Sequence, residues 1–348
     1  MVQLPEPLAN FPRAQLLYPG PSSLHRLDRL SSNYADQNIS VWVKREDMNS
    51  PIGLGGNKMR KLEYIVPEIL ARGCDTLVTI GGTQSNHCRQ VAALGAKLGL
   101  KVITVHQKRG LEETEQWRRF GNQQLSRLMG SSAYFAGNAD DVLQKVRDSG
   151  GNPYFIPAGA SRHPLGALGF VRWAFELEEQ EKSMGVFFET VTVSSHSGAT
   201  AAGMISGFKL SSVLRQRKGE DVRQRKVVSI DADNRDPKVL RDIILGIAKN
   251  AALKIGLNPD TLTEDDVIVE DRFAAGAYAN PDRGTLDALR MAASMDALIL
   301  DPVYSGKAFA GLLGLLGAKQ IRSGTKVLFV HTGGLPALGL YANCNTSP

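Results

Sequence analysis

Lys58 ends the segment Gly53-Leu54-Gly55-Gly56-Asn57-Lys58, and a lysine placed there has two readings. As a solvated side chain after a glycine turn it would have no chemistry. Partly desolvated at a helix start, it would have a depressed ammonium pKa and a free amine that attacks carbonyl carbon. The segment is not a nucleotide phosphate loop, which needs Gly, four residues, then Gly-Lys and Ser or Thr. Here Asn57 precedes the lysine and Met59 follows it. The dinucleotide pattern of spaced glycines also fails, and it would leave the lysine idle.

Four further segments pair glycine with small polar residues. Gly81-Gly82-Thr83-Gln84-Ser85-Asn86-His87 follows an apolar run and opens a helical pattern. Backbone N–H groups at that helix start would seat a carboxylate, and Ser85 would also serve as an ordinary helix cap. Ser85 is not a nucleophile elbow, because Thr83 and His87 stand where Gly-x-Ser-x-Gly requires glycine. Ser197-Gly198-Ala199-Thr200, with Ala201-Ala202-Gly203 after it, suits a phosphate monoester, although close helix packing explains the same small residues. His196, just upstream, reads as a structural histidine. Asp301-Pro302-Val303-Tyr304-Ser305-Gly306-Lys307 and His331-Thr332-Gly333-Gly334 complete the set. Tyr304 and Tyr278 are each either core aromatics or groups that face a ligand.

The elements that must position these residues follow from periodicity. Short β-branched runs at residues 41–44, 77–80, 102–105, 191–193, 227–230 and 327–330 predict strands. Between them lie helical patterns, such as residues 86–98 with Val91, Leu94 and Leu98 on one face. Alternating strands and helices predict an α/β fold with mainly parallel sheet, whose ligands bind where strands end and helices begin. A chain of 348 residues suits two lobes, and no linker or repeat marks their edges.

Composition excludes several classes. Hydrophobic residues make up 43% and charged residues 22%, ordinary values for a globular chain. No stretch reaches the roughly 18 apolar residues of a membrane span. Residues 1–13 carry three prolines and no apolar core, so no secretory signal is read there. Cys74, Cys88 and Cys344 share no metal-ligand spacing, and their odd number fits the cytoplasm. The net charge of +6 owes much to Arg215, Arg217, Lys218, Arg223, Arg225 and Lys226. Without interleaved aromatic residues in that run, a solvated connection is expected rather than a nucleic-acid patch.

Taken in order, Lys44-Arg45-Glu46-Asp47, Gly55-Gly56-Asn57-Lys58-Met59-Arg60-Lys61-Leu62-Glu63, Gln84-Ser85-Asn86, Pro157-Ala158-Gly159, Leu168-Gly169-Phe170, Asp301-Pro302-Val303-Tyr304 and Gly333-Gly334 resemble one family. It is the 1-aminocyclopropane-1-carboxylate deaminase and D-cysteine desulfhydrase branch of the pyridoxal-phosphate enzymes with the tryptophan-synthase-β fold (fold type II). The resemblance spans residues 11–341. It implies two open twisted α/β domains with mainly parallel sheets: a larger cofactor-binding one of residues 1–60 and 172–348, and a smaller inserted one of residues 61–171. It also implies a homodimer acting on a small amino acid. Lys58 would hold pyridoxal phosphate as a Schiff base, and Asn86 would bond the cofactor's phenolic oxygen. Ser197, Gly198, Ala199 and Thr200, with Lys61, would cradle the phosphate. Ser85 with Gln84, Asn86 and His87 would hold the substrate. Tyr304, Ser305 and Thr332 would lie by the ring, with Tyr278 facing the substrate.

The two activities of that family are separated by a few positions. The deaminase pattern has Glu where Ser305 stands, Leu where Thr332 stands, Gln where His87 stands and a Trp near Arg109. A carboxylate by the pyridine nitrogen deepens the electron sink, which ring opening needs more than thiolate loss does. Residues 44–50 and 158–170 read more like the deaminase. Giving weight to the residues nearest the cofactor, the expected reaction is α,β-elimination of D-cysteine to pyruvate, ammonia and sulfide. The alternative is cyclopropane ring opening to 2-oxobutyrate and ammonia. A non-catalytic carrier of the cofactor is the rival from another class.

Overall fold

The computed structural model describes residues 2–107, 114–135, 137–341 and 344; Arg109 lies outside them. The described strands are β1 (Leu24–Arg26), β2 (Ser40–Arg45), β3 (Thr76–Gly82), β4 (Lys101–Gln107), β5 (Ser132–Tyr134), β6 (Pro153–Ile156), β7 (Phe188–Ser195), β8 (Lys226–Asp231), β9 (Ile268–Glu270) and β10 (Lys326–His331). All six expected strands form. The four that periodicity missed, β1, β5, β6 and β9, lie at sheet edges. Each is three or four residues long and pairs on one side only, so it lacks the long apolar run of a central strand.

The larger sheet has the order β1-β2-β10-β7-β8-β9, and the smaller has β5-β4-β3-β6. Every pairing is parallel except β1 with β2. In β10, Leu328 and Val330 belong to one apolar cluster while Val327 and Phe329 belong to the cluster on the opposite face. This two-residue alternation, apolar on both faces, marks a strand buried between helical layers. The helices Leu168–Met184 and Ala199–Arg217 cover one side and Ser305–Gly317 the other. Gly203 permits the first two to touch: a Cβ there would lie 2.4 Å from Ala167 O. The small residues after Ser197 therefore do serve helix packing, as one reading held.

Part of the basic excess is used inside the fold. Arg225 makes two 2.7 Å bonds to Glu181, and its guanidinium lies 4.3 Å from the Phe208 ring centroid. Among the described residues no helix is long and apolar enough to cross a membrane.

A buried ionic cluster fixes the helix Lys58–Ala71. Arg60 donates to Glu46 (2.6 and 3.0 Å) and to Glu176 (2.9 and 2.8 Å). Lys44 donates to Glu176 at 2.8 Å, and the Trp173 indole N–H donates to Glu46 at 2.9 Å. The cluster thus joins β2 and the helix Leu168–Met184 to a point two residues beyond Lys58.

Candidate active site

The segments after β2, β3, β6, β7 and β10 reach one crevice, and one cavity there gathers most of the expected residues. Lys58 is the first residue of its helix and lines the cavity. The turn before it needs glycine: Gly56 has φ +115°, and a Cβ there would lie 2.7 Å from Gln90 Nε2. Asn57 then ties three loops together. Its backbone N–H donates to Thr332 O (3.1 Å), and its Nδ2 donates to Thr200 Oγ1 (3.1 Å).

Burial lowers Lys58 to about 8, the nearby charge of Arg89 adds to the effect, and Asp301 opposes it. The lysine is thus the desolvated amine of the second reading. Lys61, one turn on, is buried with Nζ donating to Gly159 O at 3.1 Å, and burial together with Lys58 depresses it strongly. Burial also pushes His87 down to about 3, with Lys58 and Lys61 assisting, so it is a neutral wall of the cavity at working pH.

The helix Asn86–Leu98 begins at Ser85, whose Oγ accepts from Cys88 N at 3.2 Å while the residue lines the cavity. Capping and cavity lining coexist there. At the opposite wall Ser197, Gly198 and Thr200 start the helix Ala199–Arg217, and the Ser197 hydroxyl meets Ser161 Oγ at 2.7 Å. Tyr304 stands 5.3 Å from Lys58 Nζ by its ring centroid, and its hydroxyl lies 2.5 Å from that of Tyr278. Tyr278, from the segment after β9, reaches toward the smaller sheet: a Cβ on Gly82 would lie 3.6 Å from its ring.

Two expected residues, Gln84 and Ser305, are corrected. Gln84 turns away from the cavity: Nε2 donates to Trp117 O (2.6 Å) and Phe120 O (3.0 Å), and Oε1 accepts from Asn122 N. Asn86 Oδ1 accepts from Asn122 Nδ2 at 2.9 Å, which orients the amide and leaves Nδ2 as its donor. Ala199 is fully buried and offers its backbone at the helix start, the group a phosphate cradle uses. Ser305 is also fully buried and outside the lining; its hydroxyl donates to Asp301 Oδ1 at 2.5 Å. Asp301 accepts as well from the N–H groups of Val303, Tyr304 and Ser305, and this cap sets Tyr304 at the start of its helix. His196, taken from sequence as structural, lines the cavity. Nothing in its neighbours signalled that. Asn57, Ser194 and Ser195 line it too; only the position of Asn57 next to the lysine offered a clue.

The residues fit a phosphorylated carbonyl cofactor. Asn57 Oδ1, Ser194 Oγ and Ser195 Oγ are buried against this cavity with no protein hydrogen-bond partner, so a polar group belongs among them. An amine, an N-terminal helix end and small hydroxyl residues surround that space.

The model of the pyridoxal-phosphate dependent enzyme family matches residues 16–333. The chain belongs to that family, and it is an enzyme that uses pyridoxal phosphate. A probable 1-aminocyclopropane-1-carboxylate deaminase of Cryptococcus neoformans var. neoformans serotype D is 42% identical over 97% of this chain and 96% of its own. The 1-aminocyclopropane-1-carboxylate deaminase of Burkholderia cenocepacia is 41% identical over 96% and 97%. The crystal structure of an ACC deaminase homologue superposes with a TM-score of 0.79 at 31% identity, covering 97% of this chain and 96% of that one.

With Lys58 at about 8, uptake of pyridoxal phosphate by the unloaded protein should quicken as pH rises toward 8 and level off above it. Following the visible band from pH 6 to 10 checks this; uptake that still climbs steeply above pH 9 would mean an undepressed lysine.

Proposed function

We propose that this enzyme deaminates 1-aminocyclopropane-1-carboxylate to 2-oxobutyrate and ammonia. The reading is supported by relatives of that name at 41–42% identity over nearly the whole chain. The observation that carries it within the site is the Tyr278–Tyr304 hydroxyl pair beside Lys58. Breaking a carbon–carbon bond leaves an electron pair on carbon, and a positioned proton donor must meet it. A thiolate leaves without that help.

When bound, pyridoxal phosphate supplies the electron sink for charge at the substrate's α-carbon. The chain's own residues do the rest. Lys58 holds the cofactor and moves protons at Nζ. Ser85 and the helix start behind it hold the substrate carboxylate. Ser197, Gly198 and Thr200, with Lys61, hold the phosphate. Tyr304 packs beside the lysine, and its hydroxyl is kept protonated by burial, with Tyr278 adding to the effect.

D-cysteine is the second reading, favoured by Ser305 and Thr332, which offer no carboxylate at the ring and a hydroxyl in place of leucine. One preparation assayed for both products separates the two. Oxobutyrate from the cyclopropane acid is expected, and robust sulfide with no oxobutyrate would reverse the assignment. Bound cofactor without ammonia from any amino acid would defeat both.

The two positions should behave differently. Thr332 lines the cavity, so Thr332→Leu should change the ratio of the two activities by about tenfold, within the range one pocket contact commands. Ser305 reaches Asp301 instead, so Ser305→Ala should leave the ratio within about twofold. Its cost should fall on stability, about 1 kcal/mol for the buried bond. Activity ratios and urea midpoints of both variants check this, and a larger ratio change at 305 would place that residue against the ring.

A further inference from the structure

The reactions above leave one ionisable pair in the cavity without a role. His196 follows β7 and lines the same cavity as Lys58, Tyr278 and Tyr304. Its Nδ1 stands 3.1 Å from Asp233 Oδ2, and its ring centroid lies 5.1 Å from that of Tyr278 and 6.4 Å from that of Tyr304. Asp233 is itself held: Arg235 donates to Oδ2 at 2.7 Å, and the Asp233 N–H donates to Asp231 at 3.0 Å. A carboxylate facing Nδ1 keeps a proton on that nitrogen, which leaves Nε2 as the nitrogen that exchanges protons with a ligand.

We propose that His196, oriented by Asp233, is a further acid residue of the reaction, delivering a proton from Nε2 on the tyrosine side of the cavity. The proposal rests on the reading of this cavity as the place where substrate meets pyridoxal phosphate. In the step, the Nε2–H bond breaks and its electron pair stays on the imidazole. A new bond to hydrogen forms at the atom released from the substrate, carbon in ring opening or sulfur in the second reading, and water restores the proton between turnovers. Asp233 stabilises the imidazolium beforehand. Burial would raise that carboxyl, but the hydrogen bond and charge of His196, with those of Arg235, hold it down to about 2, so it is ionised throughout. Several charged and titratable groups among the described residues surround the imidazole. Asp233 and Arg235 come from the loop after β8, Tyr278 from the segment after β9, Tyr304 from the start of the helix Ser305–Gly317, and Lys58 from across the cavity. Asp231 is occupied by the N–H groups of Asp233 and Arg235.

The test uses His196→Gln, His196→Phe and Asp233→Asn in the loaded enzyme and, separately, in the unloaded protein. An acid is active while protonated, so wild-type kcat/KM should fall as pH rises through the imidazole's ionisation. Both His196 variants should lose that alkaline limb and about 10²-fold in kcat or more, with the visible band of Lys58-bound cofactor retained. Phenylalanine keeps the ring contact with Tyr278, so near-normal activity in His196→Phe would reduce His196 to packing and overturn the proposal. An unchanged alkaline limb in His196→Gln would do the same. In the unloaded protein, the Nδ1–H resonance that disappears in His196→Gln should move in Asp233→Asn, which removes the carboxylate facing that proton. No movement there would break the pair whatever the enzyme turns over. A wild-type chain that takes up no pyridoxal phosphate would instead sink the functional reading, in which case that resonance alone decides whether the pair exists.

Discussion

Replacing Lys58 with alanine is expected to abolish the visible band of the bound cofactor and to lower turnover by roughly 10⁴-fold. The size follows from two losses at one atom. In the proposed role, Nζ is the amine that would hold the cofactor in place, and it would also move protons within the cavity it lines. Burial has already lowered its pKa to about 8, so near neutral pH an appreciable share of the amine is unprotonated, unlike an exposed lysine. Lys58→Arg should fail almost as badly, because a guanidinium stays protonated and does not attack carbonyl carbon. Absorbance spectra and ammonia release check both variants. A full visible band in Lys58→Ala would move the attachment point elsewhere, with Lys61 the next candidate. Lys61, however, is turned to Gly159 O and Ser161 Oγ.

The second large effect is on stability. Arg60→Met should cost about 3–5 kcal/mol, because it leaves Glu46 and Glu176 buried with Lys44 as their remaining cation. Replacing the whole cluster with well-packed apolar residues should cost far less, since removing all the charges leaves none unpaired. The same cluster sets an acid limit. Burial would raise both carboxyls, but Arg60 holds Glu46 and Glu176 below their ordinary value near 4.5, with Lys44 assisting. Their folded pKa values are therefore depressed. The stability they contribute is complete above the unfolded value near 4.5 and is lost as pH falls from there toward the folded values. Urea midpoints at pH 7 and pH 4 measure both claims. A wild-type midpoint independent of pH between 6 and 4, or an Arg60→Met loss under 1 kcal/mol, would show that the cluster carries little of the fold. Because Arg60 lies two residues past Lys58, the variant should also slow cofactor uptake.

Periodicity alone exposed the central strands, because a strand buried on both faces must be a continuous apolar run. Val327-Leu328-Phe329-Val330 is such a run, with its side chains divided between two cores. It also placed the helix Asn86–Leu98, whose start is written locally in the Ser85 cap and whose end is Gly99 at φ +70°. The edge strands stayed hidden, since three residues paired on one side carry no comparable signature.

Chemistry divided along the same line. The order of the loops around Lys58, Ser85, Ser197, Tyr304 and Thr332 was enough to indicate the family and its cofactor, because each loop's chemistry is written in consecutive residues. Side-chain direction was not. Gln84 neighbours Ser85 in the chain, yet its carboxamide turns to Trp117, Phe120 and Asn122. Ser305 follows Tyr304 but is drawn under the site by the Asp301 carboxylate. His196 and Asp233 lie 37 positions apart and meet only because β7 and β8 are parallel neighbours that end side by side. Residue type and order within a segment thus determined what kind of enzyme this is. Which side chains enter the cavity was decided by pairing between segments distant in sequence, where a buried polar group takes whichever partner the fold brings within hydrogen-bond reach.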